Sequence, residues 1–209
     1  MIVERVPVGA VELELERPAA PEELLDEHRF ADDEFLPYWA ELWPSGLALA
    51  GEVASGALDG LDVLELGCGL GLPSLVAAAQ GAQVVATDWA PEALALLDRN
   101  AKRNHLSLET LRMDWRRPMI LGARRFDLVL AADVLYEARN VEPLLDILPG
   151  VLRPGAESLL ADPGRVHAQR FLDGVRRRGA VVRTEPHRLL PRGGIHRVRL
   201  PDGDLLTRS

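Results

Sequence analysis

From residue 61 onward the chain repeats one pattern: a short run of continuous apolar residues, a break rich in glycine or acid, then a stretch with helical spacing. Val63 to Leu66, Val84 to Thr87, Leu108 to Arg112, Leu128 to Ala132 and Ser158 to Ala161 read as strands. Leu72 to Gln80, Pro91 to Asn104 and Val141 to Leu152 read as helices between them. Strands that are apolar on both faces and alternate with helices require a parallel sheet covered on both sides. After a further stretch from Arg165 to Arg178, Val181 to Thr184 and His196 to Leu200 flank Pro191-Arg-Gly-Gly, which predicts a closing antiparallel pair. Ahead of this region, Val6 to Glu16 alternates apolar and polar residues and Gly9 stands where a hairpin can turn. Pro21-Glu-Glu-Leu-Leu opens a short helix, and Gly46 to Ala57 forms another from small and aliphatic residues.

The first core strand ends on Glu65 and breaks into Gly67-Cys-Gly-Leu-Gly71 before a helix opens. Glycines so closely spaced weaken regular structure, but they let the backbone turn with positive φ and approach a ligand that any Cβ would exclude. The helix that follows presents free N–H groups and its positive end to an anionic ligand group. A dinucleotide loop has the spacing Gly-x-Gly-x-x-Gly. Here the third glycine comes one position too early, and Leu72 stands in its place.

At 209 residues and 47% apolar content, one globular domain is expected, with 1–57 as an N-terminal extension and lid and 58–209 as the core. The first residues meet charge at Glu4 and Arg5 without a signal-peptide pattern, and no apolar run reaches membrane-spanning length, so a cytoplasmic protein without a membrane partner is expected. Cys68 is the single cysteine, which rules out an intramolecular disulfide; between two glycines it reads either as a small residue in a crowded turn or as a reactive thiol. His28, His105, His167, His187 and His196 are scattered without ligand spacing, so no metal is expected. Residues 1–60 carry 14 acids and 3 bases (net −11), and residues 161–209 carry 5 acids and 11 bases (net +6). The acidic end, including Glu12, Glu14, Glu16, Glu22, Glu23, Asp26, Glu27, Asp32, Asp33 and Glu34, repels nucleic-acid phosphates and either attracts a basic substrate or is simply a solvated face.

In an open parallel sheet the ligand lies beyond the carboxyl ends of the strands. Glu65 ends the first strand, Asp88 the second, Asp114 follows the third and Asp133 the fourth. A carboxylate at Asp88 is suited to accept from both hydroxyls of a ribose.

With these acids in place, Glu65-Leu-Gly-Cys-Gly-Leu-Gly71 resembles the first motif of class I methyltransferases dependent on S-adenosylmethionine (SAM). Asp133-Val-Leu-Tyr136 resembles the Asp-x-x-Tyr motif of the methyltransferase-like protein-lysine methyltransferases, and Tyr38-Trp-Ala-Glu-Leu-Trp-Pro-Ser-Gly46 their Trp-Pro segment. Ala161-Asp-Pro-Gly-Arg165 is similar to bacterial relatives of the electron-transfer flavoprotein β-subunit lysine methyltransferase. The likeness runs from about residue 30 to 165. It implies an α/β, Rossmann-like doubly wound sheet of seven strands, mostly parallel, with helices on both faces, a C-terminal antiparallel pair and an N-terminal strand and helix extension.

The resemblance also implies site residues. Asp88 meets the ribose, Asp114 the adenine amino group, and Glu65 supports Gly67, Cys68, Gly69 and Gly71 near the methionine end. Trp89 and Trp115 pack against the adenine or plug the rim of the core, and Ala131 at the end of the fourth strand joins the cofactor-binding set. Trp43, with Tyr38 or Trp39 as alternatives, covers the sulfonium with a ring face or belongs to a helix-packing cluster. Asp133 orients the acceptor amine, and Tyr136 aligns it or walls the channel. The expected reaction is SAM-dependent N-methylation of a lysine on a protein, with S-adenosylhomocysteine (SAH) as product. Two other readings stand beside it: methylation of a small amine or nicotinamide-type heteroaromatic nitrogen, and a non-catalytic SAM-binding interaction module. Nucleic acid is not the expected partner, because no Asn-Pro-Pro-Tyr type segment follows the fourth strand.

Overall fold

A computed structural model describes residues 1–20 and 38–201. The helix expected from Pro21 and the acids from Glu22 to Glu34 lie outside the described residues. The chain opens with a hairpin, β1 (Ile2–Val8) and β2 (Val11–Arg17), that turns at Gly9 as its position predicted. A 3-10 turn at Tyr38–Ala40 leads into α1 (Pro44–Ala54), and the core then runs β3 (Asp62–Leu66), α2 (Leu72–Ala79), β4 (Gln83–Asp88), α3 (Pro91–Arg103) and β5 (Glu109–Arg112). It continues through β6 (Phe126–Ala132), α4 (Val141–Val151), β7 (Leu152–Asp162), α5 (Ala168–Arg177), β8 (Val181–His187) and β9 (Leu190–Arg199).

The strands form one seven-stranded sheet in the order β5-β4-β3-β6-β7-β9-β8. The first five pair in parallel and β9 is antiparallel to both of its neighbours. The order reverses between β3 and β6, so a crevice opens above their carboxyl ends. Alternate side chains of each strand feed two separate cores: Val63, Val84, Leu128 and Leu130 pack with α1, α2 and α3, while Leu64, Leu66, Val129 and Leu160 pack with α4 and α5. Burial on both faces is why the strands read as unbroken apolar runs instead of alternating ones.

The N-terminal hairpin lies outside this sheet and is clasped by α3. Asn100 accepts from the Glu16 N–H at 2.7 Å and donates to the Glu16 carbonyl at 3.0 Å; Asn104 does the same for Glu14, at 2.8 Å in both directions. One helical turn apart on one face, the two amides pair with alternate β2 residues as a neighbouring strand would. Arg99 and Arg103 add ion pairs to Glu16, and Arg103 a looser one to Glu14, so these members of the acidic end are answered by bases of the core.

The closing antiparallel pair forms, but its turn differs from expectation. The chain reverses between His187 and Leu190, and Pro191-Arg-Gly-Gly lies inside β9. Gly193 and Gly194 serve close approach there: a Cβ on Gly193 would collide with the Asp162 carbonyl, and one on Gly194 would stand 2.5 Å from that of Glu185. No helix among the described residues is long and apolar enough to cross a membrane.

Candidate active site

The loop between β3 and α2 folds as its glycines require. Gly67, Gly69 and Gly71 all take positive φ, at 68°, 52° and 70°. At Gly71 the space of a Cβ is filled by Leu97 of α3, whose methyls would lie 2.5 and 2.7 Å away. At Gly67 the Trp115 ring and Val134 stand in that space, and at Gly69 the backbone of Trp39 does. The loop is therefore packed from three sides by segments remote in sequence.

Two buried acids hold it. Glu65, on the face of β3 that meets α2, accepts from the backbone N–H of Ser74 at 3.0 Å and from its hydroxyl. Burial pushes its carboxyl up to about 8. Asp88 accepts from the N–H of Gly69 with one oxygen and from that of Ala90 with the other, each at 2.9 Å. Burial raises its pKa against the pull of these N–H donors. Burial pushes the Cys68 thiol well above its usual range, helped by the charges of Asp88 and Glu65, so the small-residue reading suits it better than a reactive thiolate.

Above the strand ends lies one cavity of about 1180 Å³. The glycine loop, Glu65, Asp88, Trp89, Asp114, Trp115, Asp133, Tyr136 and Trp43 all line it. Ala131 does not: its side chain is buried in the α4/α5 core beside Leu66 and Val129, and Ala132, one position on and so on the opposite face, is the wall. Asp114 is 42% exposed and both its oxygens accept from the Arg116 guanidinium, which lowers its pKa. Trp115 is packed beneath the loop, whereas Trp89 is exposed.

The opposite wall is aromatic. Tyr38 stacks obliquely on Tyr136, with ring centroids 5.5 Å apart, and lies 6.4 Å from Trp43, whose indole N–H donates to the Tyr38 carbonyl at 2.8 Å. Trp39 instead packs against the core with its backbone on Gly69. Burial pushes the Tyr136 phenol up to about 12, helped by the Glu137 and Asp88 carboxylates. Asp133 adopts φ of 56°, a left-handed conformation that Asp tolerates better than most residues. Its carboxylate is buried and pairs with Arg165 through both oxygens, at 2.7 and 3.0 Å. Arg165 also lines the cavity, and sequence reasoning gave it no role. The signal was the Asp162-Pro-Gly-Arg165 turn: one oxygen of buried Asp162 accepts from the N–H groups of Gly164 and Arg165, each at 2.7 Å, and so fixes the start of the arginine. Among the described residues no cluster of His, Cys, Asp and Glu is placed to hold a metal ion.

A lysine methyltransferase family model matches residues 38–177, a span that holds the loop, Asp88, Asp133 and Arg165. The chain is 32% identical over 135 residues to the electron transfer flavoprotein beta subunit lysine methyltransferase of Xenopus laevis, covering 62% of this chain and 53% of that protein. It is 37% identical over 122 residues to the protein-lysine methyltransferase METTL21E of Mus musculus, covering 52% and 49%. The chain thus spans about half the length of the curated relatives it matches. The expected nearness to the flavoprotein methyltransferase is met, by vertebrate proteins. Among solved structures, the 16S rRNA N2 G1207 methyltransferase of T. thermophilus in complex with AdoMet and guanosine superposes with a TM-score of 0.69 over 95% of this chain and 50% of that one. At 18% identity that likeness establishes the fold, a Rossmann-like methyltransferase sheet. With the family model covering two thirds of its length and the motif residues gathered around one cavity, the chain belongs to the lysine methyltransferase family.

Proposed function

We propose that this protein transfers the methyl group of SAM to the side-chain amine of a lysine on a protein substrate. The observation that carries this reading is that the glycine loop and the Asp133 to Tyr136 segment, 62 residues apart at their nearest ends, line the same cavity. The residues fit SAM: three left-handed glycines let the loop backbone line the cavity, and the cavity slightly exceeds the usual small-ligand range of about 300–1,000 Å³.

A bound SAM supplies an electrophilic sulfonium methyl for attack by an amine lone pair. Displacement at that carbon asks the protein for position, exclusion of water and an uncharged amine. In this reading Asp88 turns its remaining lone pairs to the ribose, and Glu65 keeps the loop seated through Ser74. Asp114 reaches the adenine amine only alongside its pair with Arg116. Trp43 presents a ring face to the sulfonium, an attraction of about 0.5–2 kcal/mol. Tyr38 and Tyr136 wall the acceptor path, and Tyr136, protonated up to about pH 12, aligns the amine as a hydroxyl. Residues 38–43 act as the lid, with α1 packed into the core behind them; 1–209 is read as one domain. A cytoplasmic setting belongs to the same proposal, the single cysteine carrying no mark of an oxidising compartment.

Two variants test the reading. Asp133→Asn keeps a residue that tolerates the left-handed backbone while removing the charge; methyl transfer to protein lysine, followed by tritium from labelled SAM and mass spectrometry of the labelled band, is expected to fall about 100-fold or more. SAH affinity by calorimetry should stay within about twofold, since the carboxylate is not assigned to the cofactor, whereas Asp88→Ala should weaken it by about tenfold or more. Absence of SAH binding in the wild type, or label on nucleic acid in place of protein, would overturn the proposal.

A further inference from the structure

Arg165 is where several parts of the site meet. Its Nε donates to Oδ1 of Asp133 at 2.7 Å and an Nη to Oδ2 at 3.0 Å, so the guanidinium fork covers a carboxylate only 7% exposed. Its Cζ stands 5.9 Å from the centroid of the Trp43 ring, and its backbone N–H is pinned by Asp162. The Arg165 and Asp133 pair borders the main cavity and also a smaller outer chamber of about 460 Å³, walled by Trp43, Pro44, Pro163 and Val166. An acceptor side chain reaching the main cavity through that chamber passes the pair.

A lysine amine has an ordinary pKa of about 10.4, and only its uncharged form has a lone pair to methylate. A lone carboxylate beside it favours the ammonium and raises that value by about 1–3 units, whereas a guanidinium opposes it. Resting on the lysine methylation proposed above, we propose that Arg165 is a positioning residue that neutralises Asp133 and so presents the acceptor amine to the methyl group in its uncharged form. The other charged or titratable groups facing the pair are Asp162 on β7, Arg192 on β9, and the phenols of Tyr38 and Tyr136. Glu137 and Asp88 add their charges to the field at Tyr136. One oxygen of Asp162 is committed to the turn that holds Arg165 while the other is buried without a hydrogen-bond partner, and Tyr136 keeps its proton until about pH 12. Arg165 is the one cation bonded directly to Asp133 among the described residues.

The test compares Arg165→Gln and Arg165→Lys with wild type, measuring the initial rate of tritium transfer from labelled SAM into lysines of total lysate protein between about pH 6 and pH 10. SAH binding by calorimetry is measured beside it. Arg165→Gln is expected to bind SAH as wild type does, to shift the midpoint of the rising limb up by about one pH unit, and to lose about tenfold in rate at neutral pH. Arg165→Lys, which keeps the charge but not the fork, should retain the wild-type midpoint at a lower maximal rate. An unmoved midpoint in Arg165→Gln, or loss of its SAH binding, overturns the proposal and leaves lysine methylation standing. A wild type that labels no lysine instead removes the reading on which the inference rests.

Discussion

Leu97 occupies the space where a side chain on Gly71 would begin, and the backbone there is left-handed, so Gly71→Ala meets strain and collision together. Loss of about 2–4 kcal/mol in chemical denaturation is expected, with a parallel loss of SAH affinity, because the loop cannot relax away from α3 without leaving the cavity. Gly51, in the middle of α1 with open space around its Cα, is the control: Gly51→Ala should gain up to about 1 kcal/mol. The loop was legible in sequence because glycine spacing encodes backbone conformation directly. Asp88 and Asp133 were legible because strand ends are placed by local apolar patterning. Arg165 was not, since a bidentate pair between residues 32 apart leaves no periodic trace. Ala131 failed for a subtler reason: the strand was right, but a one-residue parity decides whether its last side chains face the ligand or the far core.

At the scale of elements, α3 does two jobs. Leu97 backs the glycine loop, while Asn100 and Asn104 hold the N-terminal hairpin. Asn100→Leu would strand an N–H and a carbonyl of Glu16 beside an apolar side chain, at a cost of about 2–4 kcal/mol by urea denaturation. Faster hydrogen exchange should be confined to β1 and β2, and unchanged exchange in the hairpin would show that the clasp contributes nothing. The alternation of Val6 to Glu16 announced the strands, but which surface they cover depends on two asparagines whose spacing matters only once α3 is known to face them. Sequence placed the last turn at Pro191-Arg-Gly-Gly because glycine and proline are turn residues. There the glycines answer a crowding between β9 and the carbonyls of Asp162 and Glu185, which only tertiary structure reveals.

For the whole molecule, pH acts on buried groups with opposite signs, as Glu65 and His196 illustrate. Glu65 has its carboxyl raised to about 8 by burial, so the folded state holds a proton that the unfolded chain releases near 4.5. Its contribution is full below about pH 4.5 and is lost as pH rises through about 8, on the order of 5 kcal/mol in all. Glu65→Gln should flatten that dependence, read as the difference between the two proteins in denaturation midpoints at acidic, neutral and mildly alkaline pH. His196, buried against Thr184, has its pKa lowered by burial and by Arg176, so its contribution is present above its usual 6.5 and fades as pH falls below it. The parallel sheet followed from the alternation of strands and helices, but its strand order and the reversal between β3 and β6 did not, and these protonation states depend on burial depth. One further consequence concerns where this protein can be cut. The family match ends at residue 177, yet a Cβ on Gly164 would stand 2.6 Å from the Arg192 carbonyl, and β9 backs the turn that aims Arg165 at Asp133. A chain trimmed to the matched span would keep every motif residue and lose the wall they lean on, so the smallest unit that holds this site together is longer than the stretch by which its kinship is recognised.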